Sequence, residues 1–401
     1  MDEREPLRVL QSFPHKIGSG RISDTAWYQA DGVAAAGAHL IVHPGVVHRE
    51  LPSTIEVVPT LARGRWRIPY KALGRVRALA LHDRIVARRL EKIADRVDIV
   101  HTWPLAARET LRTARRLGIP TVLERPNAHT RYAYTVVRDE CRRLGVDLPA
   151  DHEHAWNDEH LRIEEEEYRL ADHLLCPSDF VAQTFRDQGF EDARLRRHFY
   201  GYDPAVFSPH PRLNDSRGFT MLFMGVCAVR KGLHFALEAW SRSPASEHGT
   251  FLIAGDFLPA YAAHLERELA HPTVRVLGHR NDAAELMASS DILVLPSLEE
   301  GSALVTAEAI ASGCVPLVSS ATSGVCIHDE NSLVHRVADV DSLTAHITAV
   351  YESRDLLERL RMGCIRSASE ITWRAAGVRL LDVYRDVVET AREGDMFSVA
   401  V

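Results

Sequence analysis

The sequence lacks the features that mark membrane-spanning and secreted proteins. No apolar run approaches about 18 residues, the length that a membrane-spanning helix needs. The charged start MDEREPLRV does not have the pattern of a secretory signal peptide. The six cysteines form no C-x-x-C pair, and several lie in apolar runs, which is typical of reduced thiols in the cytosol. We therefore expect a cytoplasmic protein.

Two classes of ligand-binding protein are also disfavoured. No GxGxxG follows the first predicted strand, so little supports a dinucleotide-dependent oxidoreductase. The formal net charge of −7 argues against a dedicated nucleic-acid binder. Neither an internal repeat nor a low-complexity tract is present. At 401 residues the chain is long for one hydrophobic core, which favours two domains.

Predicted strands alternate with predicted helices on both sides of one proline-containing linker, residues 203–219. Such alternation is typical of parallel sheets covered by helices on both faces. The sequence therefore predicts an α/β fold of two doubly wound, Rossmann-like domains that face each other across a cleft. We assign residues 1–205 to the N-terminal, acceptor-side domain and residues 217–370 to the C-terminal, nucleotide-binding domain. Residues 371–401 are expected to form a helix that returns toward the N-terminal domain.

The stretch 291–320, DILVLPSLEEGSALVTAEAIASGCVPLVSS, carries the strongest signals in the chain. It predicts a strand at 292–295, a polar loop, a helix at 302–312 and a second strand at 315–318. Ser302 suits the N-cap of this helix and Gly313 suits its C-terminal end. The stretch is thus a strand–loop–helix–strand unit of a parallel sheet.

Two glutamates make this unit a candidate ligand site. Glu300 lies in the loop, and Glu308 lies on a helix whose other residues are nearly all apolar. Buried glutamate is rare without a partner, and a helix N-terminus offers free N–H groups to a phosphate. A carboxylate that accepts hydrogen bonds from hydroxyls, next to an anion site, suits a ligand with both sugar and phosphate. The alternative is a solvated Glu300 and a Glu308 paired with an arginine.

Other residues at predicted strand ends could contact the same ligand. Arg230 and Lys231 follow the first strand of the second domain, where adjacent cations could neutralise a diphosphate; otherwise they are surface charges. Gly18 and Gly20 lie in the predicted loop 14–21 after the first strand. Glycine there lets the backbone approach a phosphate, although a simple tight turn explains it equally well.

Histidines follow two further strands of the first domain. His101 ends one predicted strand and His129 lies in the loop after the next. Ligands gather at the carboxyl ends of the strands in open α/β sheets, so both histidines are candidates, with a structural loop role as the alternative. His152, His154 and His160 match no compact metal-ligand spacing, and we expect no metal there.

Residues 61–96 form a basic segment with eleven lysines and arginines against three acids. Apolar and aromatic residues interleave with these charges. We favour a solvated helical face. The alternative is peripheral contact with an anionic membrane surface or an acidic acceptor.

The motifs of this chain, taken together in the order in which they occur, resemble those of the retaining GT-B glycosyltransferases in the large family numbered four. Glu300 and Glu308 fit that family's E-x7-E motif, and Lys231 resembles its strand-end lysine. The resemblance covers most of the chain and is strongest in the second half. Further landmarks are Ala171-Asp172, Pro177-Ser178, Tyr200-Gly201-Tyr202-Asp203 and Thr372-Trp373.

The resemblance implies transfer of a hexose from a nucleotide-diphosphate sugar to an acceptor hydroxyl, without a metal or cofactor. Glu308 would then accept hydrogen bonds from the ribose, and Glu300 would contact the transferred sugar. Lys231, helped by Arg230, would stabilise the departing diphosphate. His129 would face the sugar. The remaining expected substrate contacts are Gly18, Gly20, His101, Gly301, Ser302, Ala303 and Leu304.

Two positions depart from the family pattern. Val226 stands where many members have an arginine, and residues 329–332 stand where many have a glycine-containing turn. Because fold does not fix chemistry, two other functions stay open: a nucleotide-sugar epimerase with the same architecture, and a donor-binding protein without catalysis.

Overall fold

A computed structural model describes residues 5–63, 66–67, 74–209 and 218–398. The strands of the first domain are β1 (Arg8–Ile17), β2 (His39–Val47), β3 (Glu56–Val57), β4 (Ala62–Arg63), β5 (Trp66–Arg67), β6 (Ile99–Thr102), β7 (Thr121–Glu124), β8 (His173–Cys176) and β9 (Leu195–Arg197). Its helices are α1 (Ile22–Ala35), α2 (Arg75–Lys92), α3 (Arg108–Arg116), α4 (Thr130–Leu144), α5 (Asp158–Leu170) and α6 (Asp179–Arg186), with 3₁₀ turns at Ala94–Arg96 and Asp192–Arg194. Seven parallel strands form one sheet in the order β3-β2-β1-β6-β7-β8-β9, and β4 pairs antiparallel with β5.

The second domain contains a six-stranded parallel sheet. Its strands are β10 (Thr220–Met224), β11 (Thr250–Ala254), β12 (Val274–Gly278), β13 (Ile292–Leu295), β14 (Val315–Ser319) and β15 (Leu333–His335), in the order β12-β11-β10-β13-β14-β15. Its helices are α7 (Leu233–Arg242), α8 (Ala245–His248), α9 (Pro259–His264), α10 (Glu266–Leu269), α11 (Ala283–Ser289), α12 (Leu304–Ala311), α13 (Val340–Glu352) and α14 (Arg354–Ser367). Short 3₁₀ turns lie at Val229–Lys231, Ser320–Thr322 and Ala368–Ile371.

Both sheets are doubly wound, which confirms the predicted fold class. In the first sheet the strand order reverses between β1 and β6, and in the second between β10 and β13. Ligands of open α/β sheets bind outside the carboxyl ends of the strands at such points. The predicted linker falls partly on residues 210–217, which lie outside the described residues.

Two element boundaries differ from the sequence prediction. The predicted helix 302–312 begins only at Leu304, with Ala303 rather than Ser302 at the N-cap, and Gly313 ends it with a positive φ of 68°. The first strand continues past Phe13 to Ile17, because it pairs with β2 again after a bulge between Phe13 and Lys16. Of the predicted loop 14–21, only residues 18–21 therefore lie between β1 and α1.

The C-terminal helix α15 (Trp373–Ser398) packs on α1 of the first domain. Gly32 and Gly377 lie at the crossing, where a Cβ on Gly377 would overlap the Gly32 backbone. Leu380 and Tyr384 belong to the buried apolar cluster of the first sheet. Helix α15 thus packs on the first domain although it follows the second domain in sequence.

Helix α4 of the first domain packs against the second domain. Val137 and Cys141 belong to the same buried apolar cluster as Phe235. His234 Nε2 lies 2.7 Å from Glu140 Oε1 across the same interface. The two domains are therefore in direct contact.

The basic helix α2 buries its apolar side within the first domain. Its buried apolar core residues are Ala78, Leu79, Val86, Ala87 and Leu90. This arrangement supports the interpretation of a solvated basic face. Residues 64–65 and 68–73 of the segment lie outside the described residues. None of the helices in the described ranges is long and apolar enough to cross a bilayer.

Candidate functional site

Two loops of the second domain, one after β10 and one after β13, meet at the switch point. Gly232 allows this approach, because its φ is 69° and a Cβ there would overlap the Pro296 carbonyl oxygen. The Leu298 amide donates to the Arg230 carbonyl at 2.8 Å. These contacts bring Arg230 and Lys231 of the first loop beside Glu299 and Glu300 of the second.

Glu300 contacts both predicted cations. Its Oε1 pairs with Lys231 Nζ and lies 2.9 Å from Arg230 Nη1. Burial would raise the pKa of Glu300, but the two positive charges outweigh burial and lower it. Burial lowers the pKa of Lys231, and the Glu300 carboxylate offsets part of that effect. The result is a compact group of two partly buried cations around one buried carboxylate.

Sequence reasoning missed Glu299, which is fully buried beside this group. Its Oε1 lies 2.8 Å from His154 Nε2 of the first domain and 3.2 Å from Arg230 Nη1. Burial opposes ionisation of Glu299, yet the hydrogen bond from His154 and the charge of Arg230 lower its pKa to about 2. His154 and Glu299 are 145 residues apart, so nothing in the local sequence indicated this contact.

The contact between His154 and Glu299 predicts a measurable cost when it is lost. We expect His154→Ala to lower the free energy of unfolding by about 1–3 kcal/mol, because a buried carboxylate loses a hydrogen bond. Urea denaturation measures this change. The matched control is His248→Ala, which removes an exposed histidine 3.9 Å from Glu247 and should change stability by less than about 0.5 kcal/mol. Equal effects of the two substitutions would contradict the structural role of His154.

Glu308 differs from the other two glutamates, because its carboxylate has no hydrogen bond or ion pair within the described part of the chain. It lies partly buried on α12, and burial raises its pKa to about 7. The arginine partner considered from the sequence is not observed among the described residues. Glu308 thus keeps its hydrogen-bonding capacity for a ligand.

The start of α12 lies against the first domain. Gly301, Ser302 and Ala303 are buried, and a Cβ on Gly301 would overlap the carbonyl oxygen of Pro126. The first intrahelical bond runs from the Thr306 amide to the Ala303 carbonyl at 2.9 Å, so the Leu304 amide precedes it and has no acceptor within the helix. Four predicted substrate-binding residues therefore meet at the interface between the domains.

The predicted glycine loop lies at the end of β1, and its two candidate amides are already bonded. The Gly18 N–H donates to the Ser23 carbonyl at 3.0 Å, and the Gly20 N–H donates to Asp24 Oδ1 at 3.0 Å. Contact of these two amides with a phosphate stays a prediction, since each amide would first have to release its present hydrogen bond.

The structure places both predicted histidines inside the first domain. His101 is fully buried, with Nδ1 2.6 Å from the Tyr384 hydroxyl and Nε2 3.5 Å from Glu124, so its ring presents no surface to the cleft. His129 is 2% exposed and caps α4, where its Nδ1 accepts from the Arg131 amide. Burial and two nearby arginines lower the pKa of His129 to about 3. In this conformation a neutral His129 acts as a helix cap.

From the sequence we expected no metal site at His152, His154 and His160. Within the described ranges, no group of three or more His, Cys, Asp and Glu side chains has an arrangement that could hold a metal ion. His154 instead bonds to Glu299, as described above.

Comparisons with known proteins add independent information. Residues 218–353 match the family model for glycosyl transferases group 1. This segment contains Arg230, Lys231 and all three glutamates. A curated relative, lipopolysaccharide glucosyltransferase WaaG of Escherichia coli K12, is 30% identical over 156 residues, which is 38% of this chain and 39% of the relative. The sequence match therefore spans less than half the length of that relative.

Solved structures extend the likeness, in fold alone, to nearly the whole chain. Sucrose-phosphate synthase of Thermosynechococcus elongatus has a TM-score of 0.67 at 17% identity, covering 96% of this chain and 100% of that one. Anabaena HepE in complex with UDP has a TM-score of 0.64 at 15% identity, covering 95% and 100%. The chain has the GT-B fold. In this GT-B chain, Arg230, Lys231 and Glu300 lie at the switch point of the second domain, and Glu299 beside them contacts His154 of the first.

Proposed function

We propose that this protein is a retaining, metal-independent glycosyltransferase that moves a hexose from a nucleotide-diphosphate sugar to an acceptor hydroxyl. The observation that carries the proposal is the buried contact of Arg230 and Lys231 with one carboxylate, Glu300, beside the start of α12. The match of residues 218–353 to glycosyl transferases group 1 supports the same activity. The UDP in the HepE structure makes a uridine nucleotide a suitable first donor to test.

The cations have a clear chemical use in such a reaction. During transfer, the bond between the anomeric carbon and the phosphate oxygen breaks, and negative charge grows on the departing diphosphate. Cations held in a buried site stabilise that charge more than they would in water. In the free protein Glu300 compensates them, which limits the cost of keeping two buried cations close together. The diphosphate would take over this compensation, leaving Glu300 to contact the sugar.

Glu308 would hold the nucleotide rather than take part in bond breaking. Its carboxylate has no described protein partner and can accept hydrogen bonds from two neighbouring ribose hydroxyls. We expect Glu308→Ala to weaken nucleotide-sugar binding by about tenfold or more, since hydrogen bonds to a charged group are lost. Calorimetric titration measures the dissociation constant. Unchanged affinity would remove Glu308 from the donor site.

The raised pKa of Glu308 also predicts a pH dependence. With a pKa of about 7 in the free protein, the ionised form that accepts hydroxyl hydrogen bonds increases with pH. Affinity for a nucleotide sugar should therefore tighten about five- to tenfold between about pH 6 and about pH 8. Glu308→Gln should show a flat profile over that range. A wild-type profile as flat as that of the variant would contradict this assignment.

A donor panel separates this proposal from the two alternatives. Purified protein is incubated with UDP-, GDP- and ADP-linked hexoses, with and without candidate acceptors. Acceptor-dependent release of nucleoside diphosphate supports transfer, whereas a changed sugar on an intact nucleotide supports epimerisation. Binding without either reaction supports a donor-binding protein, a result that Val226 in place of the family arginine would help to explain. The anomeric configuration of the product, read by NMR, tests the retaining mechanism.

A further inference from the structure

Glu299 is a fully buried carboxylate that the transfer reaction described above does not use. Its Oε1 lies 2.8 Å from His154 Nε2 and 3.2 Å from Arg230 Nη1. Because an ionised carboxylate can only accept hydrogen bonds, both nitrogens must donate to it. Glu299 thus links a histidine of the first domain to an arginine of the second.

Arg230 is held mainly by Glu299. Its Nη1 lies 3.1 Å from the Glu299 carbonyl oxygen, 3.2 Å from Glu299 Oε1 and 2.9 Å from Glu300 Oε1. Two of these three oxygens belong to Glu299. Every side-chain contact of Arg230 with an acceptor in the described ranges uses this one nitrogen, so the N–H groups on Nε and Nη2 stay available to a ligand.

Lys231 is held differently, because among the described side chains its Nζ bonds to Glu300. If a diphosphate displaces Glu300, as proposed above, Lys231 loses this partner and turns entirely to the phosphate. Arg230 keeps both Glu299 oxygens while the ligand binds. The N–H groups of a guanidinium form a rigid planar fork, so fixing Nη1 also fixes the direction of the others.

A carboxylate at this position has an electrostatic cost. Burial and the charge of the adjacent Glu299 both act to raise the pKa of Glu300, although the two cations outweigh them. Removing a carboxylate from water is also unfavourable unless it is well hydrogen-bonded. Oε2 of Glu299 is buried with no hydrogen-bond partner in the described part of the chain. Stability alone therefore explains this residue poorly, whereas orientation of Arg230 explains it directly.

Resting on the proposed transfer activity, we propose that Glu299 is a positioning residue, which directs the Arg230 guanidinium at the diphosphate while His154 holds Glu299 from the first domain. Placement of the arginine then depends on contact between the two domains. Glu299 needs an acceptor oxygen for this role. Its negative charge is not needed, and it disfavours a diphosphate nearby.

Two substitutions of similar size separate the oxygen from the charge. Glu299→Gln keeps an oxygen that can accept from Arg230 and His154, whereas Glu299→Met removes it, and both remove the negative charge. Calorimetry measures affinity for the nucleoside diphosphate of the active donor, which is UDP for a UDP-hexose. This affinity should tighten about three- to tenfold in Glu299→Gln, because the repelling charge is gone. Unchanged or weaker binding would contradict the assignment of the charge.

The rate of bond breaking should follow the oxygen instead. It is measured in a quenched single turnover with the nucleotide sugar that the donor panel selects. Glu299→Met should be about 10- to 100-fold slower than wild type, because a misdirected guanidinium stabilises the departing diphosphate less. Glu299→Gln should stay within about threefold of wild type. The control Glu358→Gln removes an exposed acid on α14 and should change neither affinity nor rate.

A double-mutant cycle tests whether Glu299 acts through Arg230. Arg230→Met alone should slow the single turnover about 100-fold. Adding Glu299→Met should cost less than about twofold more, since the oxygen then has no arginine to direct. Additive losses would show that Glu299 acts independently of Arg230 and would overturn the proposal.

His154 is tested in the same way, and this test also serves if Glu299→Met does not fold. His154→Gln keeps an N–H group that can donate to Glu299, whereas His154→Ala does not. We expect His154→Ala to slow the single turnover about three- to tenfold and His154→Gln to recover most of that loss. A wild-type rate in His154→Ala would remove the first domain from the positioning of Arg230.

The outcomes distinguish this inference from the proposed function. If wild-type protein releases no nucleoside diphosphate from any donor of the panel, transfer fails and the positioning role fails with it. If wild type transfers the sugar but Glu299→Met keeps the wild-type rate, the positioning role is wrong and the proposed function stands. The same conclusion follows if Glu299→Gln is as slow as Glu299→Met, since the charge rather than the oxygen would then be needed.

Discussion

Replacing Lys231 by alanine is expected to lower kcat by about 100- to 1000-fold, the usual cost of removing one donor that stabilises developing negative charge. Lys231 Nζ contacts Glu300, and its side chain is only 14% exposed, so its charge is shielded little by water. The loss should appear mainly in kcat, because the charge on the diphosphate grows during bond breaking. Nucleoside diphosphate release under saturating donor measures it.

Lys92→Ala provides the control for this loss, since Lys92 is an exposed lysine on α2 and its removal should leave kcat within about twofold. Lys231→Arg tests whether positive charge alone suffices, because a guanidinium cannot reproduce the compact ammonium beside Arg230. Near-normal kcat in Lys231→Ala would remove the lysine from the mechanism.

The second large effect is expected from Gly301→Ala. A Cβ at this position would overlap the carbonyl oxygen of Pro126, so the loop before α12 and the first domain would have to separate. Misplacement of about 1 Å between reacting groups can cost about 100-fold in rate, and we expect kcat/KM to fall by about that factor. Small-angle scattering should show a larger radius of gyration for the variant with bound nucleotide than for wild type.

Gly218→Ala is the matched control, because among the described residues a Cβ on Gly218 meets only the His248 carbonyl oxygen, at an ordinary 3.4 Å. It should leave both the rate and the radius of gyration unchanged. If Gly301→Ala behaves like this control, close approach of Gly301 to Pro126 is not needed for activity.

The sequence predicted the second-domain unit well because its signals are local. The strand 292–295 is a short apolar run ended by proline, and Gly313 adopts the positive φ that a helix C-terminus favours. The helix start was misplaced because the loop before it is fixed by the first domain. Gly301 lies against Pro126, and Ser302 Oγ packs near Gly324, so N-cap preference alone did not decide the boundary.

The first-domain histidines illustrate what a single sequence cannot reveal. His101 follows a strand, as a ligand-binding residue would, but its partner Tyr384 lies 283 residues later on the returning C-terminal helix. Burial of this kind depends on distant chain segments. For the same reason, the sequence did not reveal the hydrogen bond between His154 and Glu299, because the two residues belong to different domains.

The central claim is that a nucleotide sugar binds between the two cations and Glu308, at the start of α12. A crystal structure with a bound nucleotide sugar tests it most directly. We predict diphosphate oxygens within about 3 Å of Lys231 Nζ and an Arg230 nitrogen, and ribose hydroxyls at hydrogen-bonding distance from the Glu308 carboxylate. A nucleotide bound elsewhere, or a Glu308 that contacts no part of it, would contradict the claim.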